Sequence, residues 1–504
     1  MFARLAFLAL AALLALPAHA DEPPEAKATA RIFSQIRHDP ARLAAFMRAF
    51  PKGADLHNHL LGAIYAESLL KWAAQDGDCI SLTQAKILPS HCRLGMTGDA
   101  PANVVVENAD AENAMIDAFS MRNFAPTSTD HSGHDHFFAA FNRFISVAPQ
   151  HEGDMLAEAL DHAGNDHVLY VELMISPALG AMNNVGARHP LPGEDFDAAR
   201  KALATDLAPI VLQARHETDA MEQRARAILQ CDTPQAHPGC AVTARYLFQT
   251  IRTMPPALVF AQLAAGYELA HTDPRFVGVN IVAPEDHPIA LRDYGLHMRM
   301  FQALNHAYPD VKLSLHAGEL APGLVPPEEL RHHIRDAVEI AGAKRIGHGA
   351  DIAWEDNPAD LLRDMATRRV MVEINLTSND EILNLRGPGH PFSLYRKAGV
   401  PTALSTDDEG ISRGDLTQEY IRAVATWPLS YGELKTISRN GLTYAFIPGK
   451  SLWEHDQIIT ICQAPQSFAC ASFLHGNEKA RLQLALEQNF ADFEQTISRE
   501  PLFQ

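Results

Sequence analysis

Past its first twenty residues the chain has no stretch approaching about 18 uninterrupted apolar residues, which excludes a membrane-spanning helix from its body. Positive charge is also scarce. Lys and Arg number 42 against 61 Asp and Glu, a formal net charge of −19, so neither a nucleic-acid groove nor an anionic membrane surface is expected as partner. The six cysteines contain no C-x-x-C, which argues against a zinc knuckle or a thioredoxin-type site. No internal repeat or low-complexity block is present. What is there is 504 residues, 47% hydrophobic and 20% charged, enough to bury a large core. Small-molecule chemistry is the class that remains.

The start reads as an address. Arg4 precedes an apolar run over 5–16, and Pro17-Ala18-His19-Ala20 closes it with small residues at the A-x-A positions, so residues 1–20 have the parts of a secretory signal. A periplasmic or secreted mature protein follows, soluble, with no membrane partner after cleavage. Cysteine usage suits an oxidising compartment, since Cys79 with Cys92, Cys231 with Cys240 and Cys462 with Cys470 form three sequence-local couples. Neighbour pairing is the expectation, although six thiols leave the connectivity open and buried free cysteines fit the same sequence.

Residues 21–50 read as a helical leader, 51–448 as the main domain, and 449–504 as a helical cap. Within the main domain, short β-type runs at 54–57, 168–173, 258–263, 276–282, 311–316, 345–347, 370–374 and 402–405 alternate with long helical stretches. Eight such runs predict an α/β fold, a (β/α)8 TIM barrel. An open doubly wound sheet alternates in the same way, but polar residues gather at the C-terminal ends of the runs, where barrel enzymes keep their chemistry. Two insertions, 76–130 and 216–240, each carry a cysteine couple.

His57-Asn58-His59 closes the first run, and side chains at i and i+2 of a strand share a face, so both imidazoles can bind one metal. His316-Ala317-Gly318-Glu319 ends the fifth run with a third histidine and a carboxylate three residues on. Arg345-Ile346-Gly347-His348-Gly349 ends the sixth with a histidine between glycines that permit close approach. Ser405-Thr406-Asp407-Asp408 ends the eighth with one carboxylate for a metal and one to spare. His57, His59, His316 and Asp407 make a nitrogen and oxygen set that suits zinc with a position open for water. Such an ion brings the pKa of water toward about 7. Glu319 can then protonate the electrophile while His348 orients or deprotonates the water.

In this order and at these strand ends, HNH, HAGE, RIGHG and STDD resemble the adenosine deaminase family of the amidohydrolase superfamily, above all its extracellular branch, over residues 51–446. His134-Asp135-His136-Phe137-Phe138 and Val171-Glu172-Leu173-Met174-Ile175-Ser176-Pro177 add to the likeness. The resemblance implies that His57, His59, His316 and Asp407 hold one Zn2+ ion. It implies that Glu319 donates a proton to the purine N1, that His348 assists the attacking hydroxide, and that Asp408 binds the purine N7 and holds the nucleophile. The implied reaction is hydrolytic deamination at C6 of adenosine or a related 6-aminopurine. No lysine at a strand end suits carbamylation, in keeping with one ion.

Several positions depart from the family pattern. The acidic residue that the resemblance assigns to the sugar hydroxyl is replaced here by Leu61, while Asn280 and Ala283 replace the usual Asp and Gly. The backbone N–H of Ala283 stays available for the implied purine N3 contact. Glu409-Gly410 follow the aspartate pair where proline is usual. Leu61 beside Ala283 predicts a less polar substituent or a differently held sugar. Two alternatives stand beside the deaminase: an amidohydrolase for another heterocyclic amine or amide, and an extracellular adenosine-binding protein with little turnover. Elsewhere, His131, His134 and His136 read as a substrate-gating loop, His332-His333 as surface, and Glu172 and Glu373 as interior polar-network members.

Overall fold

Strands that are apolar on both faces must be covered on both, and here eight of them close a ring. The computed structural model describes residues 23–92, 98–191, 193–454 and 457–503; the signal-like residues 1–20 lie outside the described residues. Strands β1 (Gly53–His59), β2 (Val168–Ile175), β3 (Thr243–Ile251) and β4 (Phe276–Val282) pair in parallel in that order. So do β5 (Ser314–Ala317), β6 (Arg345–His348), β7 (Met371–Ile374) and β8 (Thr402–Leu404). Parallel bridges between Val279 and Leu313 and between Asn58 and Asp407 join the two halves. At the second seam the Asp407 N–H donates to His57 O at 2.9 Å and the His59 N–H donates to Asp407 O at 3.2 Å. The bonds that close the barrel therefore also set the HNH histidines beside the aspartate.

One strand differs from the expectation. Residues 258–263 lie inside the helix Pro256–Thr272, and the third strand is Thr243–Ile251. That helix is buried at every position from Val259 to Tyr267, so its apolar residues form a continuous run in place of a helical stripe. Pro256 in its first turn is the start signal. β3 carries Arg245, Gln249 and Thr250 among its apolar residues, which dilutes its strand signature.

The stretch 216–240 is also not a separate excursion. It continues the 33-residue helix Phe196–Ile228 and ends in a turn closed by Cys231 and Cys240. In the first insertion Cys79 and Cys92 are bonded beside a three-stranded antiparallel sheet, and Cys462 and Cys470 tie the C-terminal segment. All three neighbour pairs form. The leader is two helices, Pro24–Ile36 and Pro40–Ala49, because the Asp39 side chain caps the second ahead of Pro40. Phe46 and Phe50 of this leader pack on Phe493 and Phe490 of the helix Glu478–Ile497. Below the strands, Phe446 lies under Arg345 at 3.9 Å and among Met174, Leu247 and Val282, plugging the barrel.

Candidate active site

The four polar strand ends meet at the C-terminal mouth. Nε2 of His59 and Nε2 of His316 are 3.2 Å apart, and Asp407 Oδ1 is 3.3 Å from Nε2 of both His57 and His59. Tetrahedral donors 2.0–2.1 Å from one zinc ion stand about 3.3 Å from each other, so the spacing fits a shared ion. The buried His57 Nε2 has no hydrogen-bond partner, which a metal would satisfy. The other nitrogen of each ring is occupied: His57 Nδ1 donates to Glu373 at 2.7 Å, His59 Nδ1 to Gln249 Oε1 at 3.0 Å, and His316 Nδ1 to Asn280 Oδ1 at 3.0 Å. These bonds fix the tautomer and leave all three Nε2 lone pairs for an ion.

Glu373 is itself held by Arg345 at 2.6 Å and Ser314 at 2.7 Å, and Arg345 pairs with Glu172 at 2.5 Å. Burial works against its charge, but Arg345 and His57 outweigh it and hold its carboxyl down to about 2. Glu172 and Glu373 are thus members of an interior network that begins at the barrel floor and ends on a candidate metal ligand.

His348 sits beside this cluster. Donor atoms of His57, His316, His348 and Asp407 lie within 4.8 Å of one another, yet His348 Nε2 is 3.9 Å from Asp407, farther than the other rings. Its Nδ1 accepts from Asn379 Nδ2 at 2.9 Å, and Asn379 Oδ1 accepts from His390 at 3.0 Å, so a neutral ring carries its proton on Nε2. His348, Asp407 and Ala283 all have left-handed backbones, at φ 67°, 60° and 86°, a clustering of strain found at functional sites. Gly347 is required for packing, because a Cβ there would lie 2.5 Å from His57 Cε1.

Glu319 is presented by a loop whose Gly318 and Glu319 N–H groups donate to Glu285 at 3.1 and 2.8 Å. Its carboxyl is 3.6 Å from His348 Nδ1. Burial, with the charges of Asp407 and Glu285 adding to it, pushes that carboxyl well above the usual range, which favours its protonated form. Glu285 in turn accepts from His333 Nδ1 at 2.6 Å. This corrects the surface reading of His332-His333: His333 is fully buried and stacked 3.7 Å from Tyr294. Adjacent helical residues do point apart, and for that reason one of the two faces the core.

A cavity of about 570 Å³ opens above the cluster, lined by His59, Leu61, Ala283, His316, Glu319, His348, Asp407 and Asp408 among others, with His57 buried behind it. Asp408 Oδ1 is buried without a partner, and burial with the adjacent Asp407 pushes its carboxyl up to about 7. Gly62 makes room for it, since a Cβ there would lie 1.6 Å from that oxygen. His131, His134 and His136 are not a free loop. They lead into the helix Gly133–Phe144, where His136 is pinned to Asp130 at 2.6 Å and His134 to Asp286 at 3.0 Å, while Phe137, Phe138 and Phe141 reach the cavity.

A family model described as adenosine deaminase matches residues 95–458. The chain belongs to the adenosine deaminase family. HAGE, RIGHG and STDD fall inside that match and HNH precedes it. Adenosine deaminase of Enterococcus faecalis (strain ATCC 700802 / V583) is 33% identical over 138 residues, 27% of this chain and 37% of that protein, so the aligned stretch spans little more than a third of that relative. Among solved structures, the Arabidopsis N6-mAMP deaminase MAPDA matches with a TM-score of 0.55 at 19% identity, over 88% of this chain and 99% of that one. An amidohydrolase of Burkholderia ambifaria with bound Zn matches with a TM-score of 0.54 at 18% identity, over 90% and 95%. These structural likenesses are likenesses of fold.

Measured against the adenosine deaminase pattern, the departures keep much of the local geometry. Asn280 accepts from His316, as an aspartate there would, and Ala283 takes the positive φ that a glycine would supply. Gly410 N–H donates to Gly62 O at 3.0 Å, joining the loop after β8 to the loop after β1. The residues that sequence reasoning missed are the partners: Gln249 on β3, Asn379 in the helix Leu376–Leu383 and Glu285 in the loop after β4 act on candidate site residues outside their own motifs.

Proposed function

We propose that this protein is a zinc-dependent aminohydrolase that converts adenosine or a related 6-aminopurine to the 6-oxo purine and ammonia. One juxtaposition carries the reading: His57, His59 and His316, each with its Nδ1 occupied, set their Nε2 atoms and the Asp407 carboxylate close together, beside a buried Glu319 placed 3.6 Å from His348. His57, His59, His316 and Asp407 would hold one Zn2+, and what such an ion supplies when bound is acidification of water near neutral pH.

Glu319 is the acid that protonates purine N1 as the ring loses aromaticity at C6. His348 donates from Nε2 and orients the attacking water, a role its Asn379 bond favours over that of base. Asp408 meets N7, which offers only a lone pair, with a protonated oxygen, and its second oxygen accepts from the nucleophile. The backbone N–H of Ala283 faces N3, and Leu61 lies against the purine substituent. Water adds its oxygen at C6, one of its protons departs with the amino group as ammonia, and the other restores Glu319.

The signal-like start and three closed disulfides support export to the periplasm or beyond. The test is ammonia release from adenosine by the purified, zinc-loaded protein. Glu319→Gln is expected to keep its metal and lose about 10²-fold or more in rate. Silence toward every 6-aminopurine with zinc bound would overturn the reading and leave another heterocyclic amine or amide as substrate.

A further inference from the structure

The outer wall of the cavity is built from helices. Phe138 and Phe141 come from Gly133–Phe144, Glu152 and Met155 from Ala148–Asn165, and Thr218 and Met221 from Phe196–Ile228. Among the described residues that line the cavity there is no Lys or Arg, and Glu152 is the one acid apart from Glu319, Asp407 and Asp408. Burial, with Glu217 adding to it, pushes Glu152 up to about 7. At the rim, before the helix Leu179–Arg188, a carboxylate is already in place: the Ala178 N–H donates to Glu217 at 2.6 Å. A phosphate placed against this wall would meet aromatic and thioether surface and the Glu152 carboxyl, without the Arg or Lys fork that pairs with such an anion. An unpaired charge taken from water into such surroundings is strongly disfavoured.

We infer that the cavity selects a 6-aminopurine bearing an uncharged, largely apolar substituent, and that Glu152 rejects anionic substituents, so that apolar-modified nucleosides are substrates and nucleotides are not. This rests on the proposed deaminase reading, with Leu61 supplying an apolar contact on the metal side of the same cavity. Glu152 acts here as a specificity residue and takes no part in the chemical step.

The experiment compares kcat/KM of the zinc-loaded full chain for adenosine, 5′-deoxy-5′-methylthioadenosine and adenosine 5′-monophosphate. The thioether is expected to match or exceed adenosine, and the monophosphate to fall at least about 10²-fold below it, mainly through KM. Glu152→Gln and Met221→Arg are each expected to raise the monophosphate-to-adenosine ratio several-fold. A monophosphate as good as adenosine, or a ratio unmoved in both variants, would overturn the inference. Calorimetric binding of the three compounds to Glu319→Gln reads the same preference without turnover. Weak monophosphate binding beside firm thioether binding, with no turnover of any compound by the unmodified protein, would sink the reaction and keep the selectivity. Equal binding of the three with ammonia release intact would do the reverse, and no binding at all would overturn both.

Discussion

A carboxyl whose protonated form burial favours and an imidazole that burial holds down to about 3 stand 3.6 Å apart at the mouth of this barrel, and single residues hold them so. Gly62 is the sharpest case. A methyl group at this position would overlap Asp408 Oδ1 at 1.6 Å, and rotating the carboxyl aside would leave the methyl still 2.7 Å from Asp408 Cβ. Gly62→Ala is expected to keep the fold and the metal and to lose about 10²-fold in kcat/KM, the scale of a misplaced reacting group. Metal content by elemental analysis beside the rate measurement checks it; a rate within a few-fold of the unmodified protein would remove Asp408 from the chemistry. At this scale the sequence was legible wherever a motif held its residues within a few positions, as in HNH or HAGE. Their partners were not: Glu373 lies 316 residues from His57 and Gln249 lies 190 from His59, and no local pattern announces a contact that only barrel closure makes.

Among the elements, seven of the eight strands are visible as apolar runs with polar ends, and the failure is instructive. A helix buried on all sides, such as Pro256–Thr272, and a strand buried on both faces produce the same uninterrupted run, so periodicity cannot tell them apart. Spacing pointed to neighbour disulfides without fixing the pairing, and each bond does close a short local loop. Removing one should therefore act locally. The Cys79–Cys92 bond spans 13 residues in an insertion whose Ile80 and Ile87 are fully buried, and a loop of this size contributes about 3 kcal/mol by restricting the unfolded chain. Replacing both cysteines with serine is expected to lower the melting temperature by a few degrees while leaving metal binding and rate within about twofold, since no candidate site residue lies in that loop. Calorimetry of the double variant decides it, and a loss of metal would show that the insertion supports the site directly.

At the scale of the whole molecule, burial decides how stability responds to acid. Away from the metal cluster, burial holds Glu381 up to about 8 and Glu355 and Glu419 up to about 7, against an ordinary value of 4.5. When the folded-state value lies above the unfolded one, the native state binds the proton first, so these three add stability as pH falls from about 8 toward 4.5. Two histidines act oppositely: burial pushes His297 down to about 4 and His390 down to about 3, from 6.5. Below pH 6.5 the unfolded chain takes up protons that these rings refuse. Glu285 joins them lower still, since burial opposes its charge but His333 and Arg252 hold it down to about 2, and its contribution, complete above 4.5, fades as pH falls toward 2. Of these groups only the carboxyls act between pH 8 and 6.5; Glu381, Glu355 and Glu419 outweigh His297 and His390 down to 4.5, with Glu152, held up to about 7, adding to their side, and below 4.5 His297, His390 and Glu285 take stability away. A chain of net charge −19 also sheds self-repulsion as it is acidified. The metal-saturated protein is therefore expected to melt highest between about pH 4.5 and 6.5, and on the order of 2–3 kcal/mol less stably at pH 8. Scanning calorimetry at pH 8, 6 and 4 tests the sign, with Glu381→Gln flattening the alkaline limb; a melting temperature that climbs steadily from pH 6 to 8 would mean that the histidines, and not the carboxyls, govern the balance.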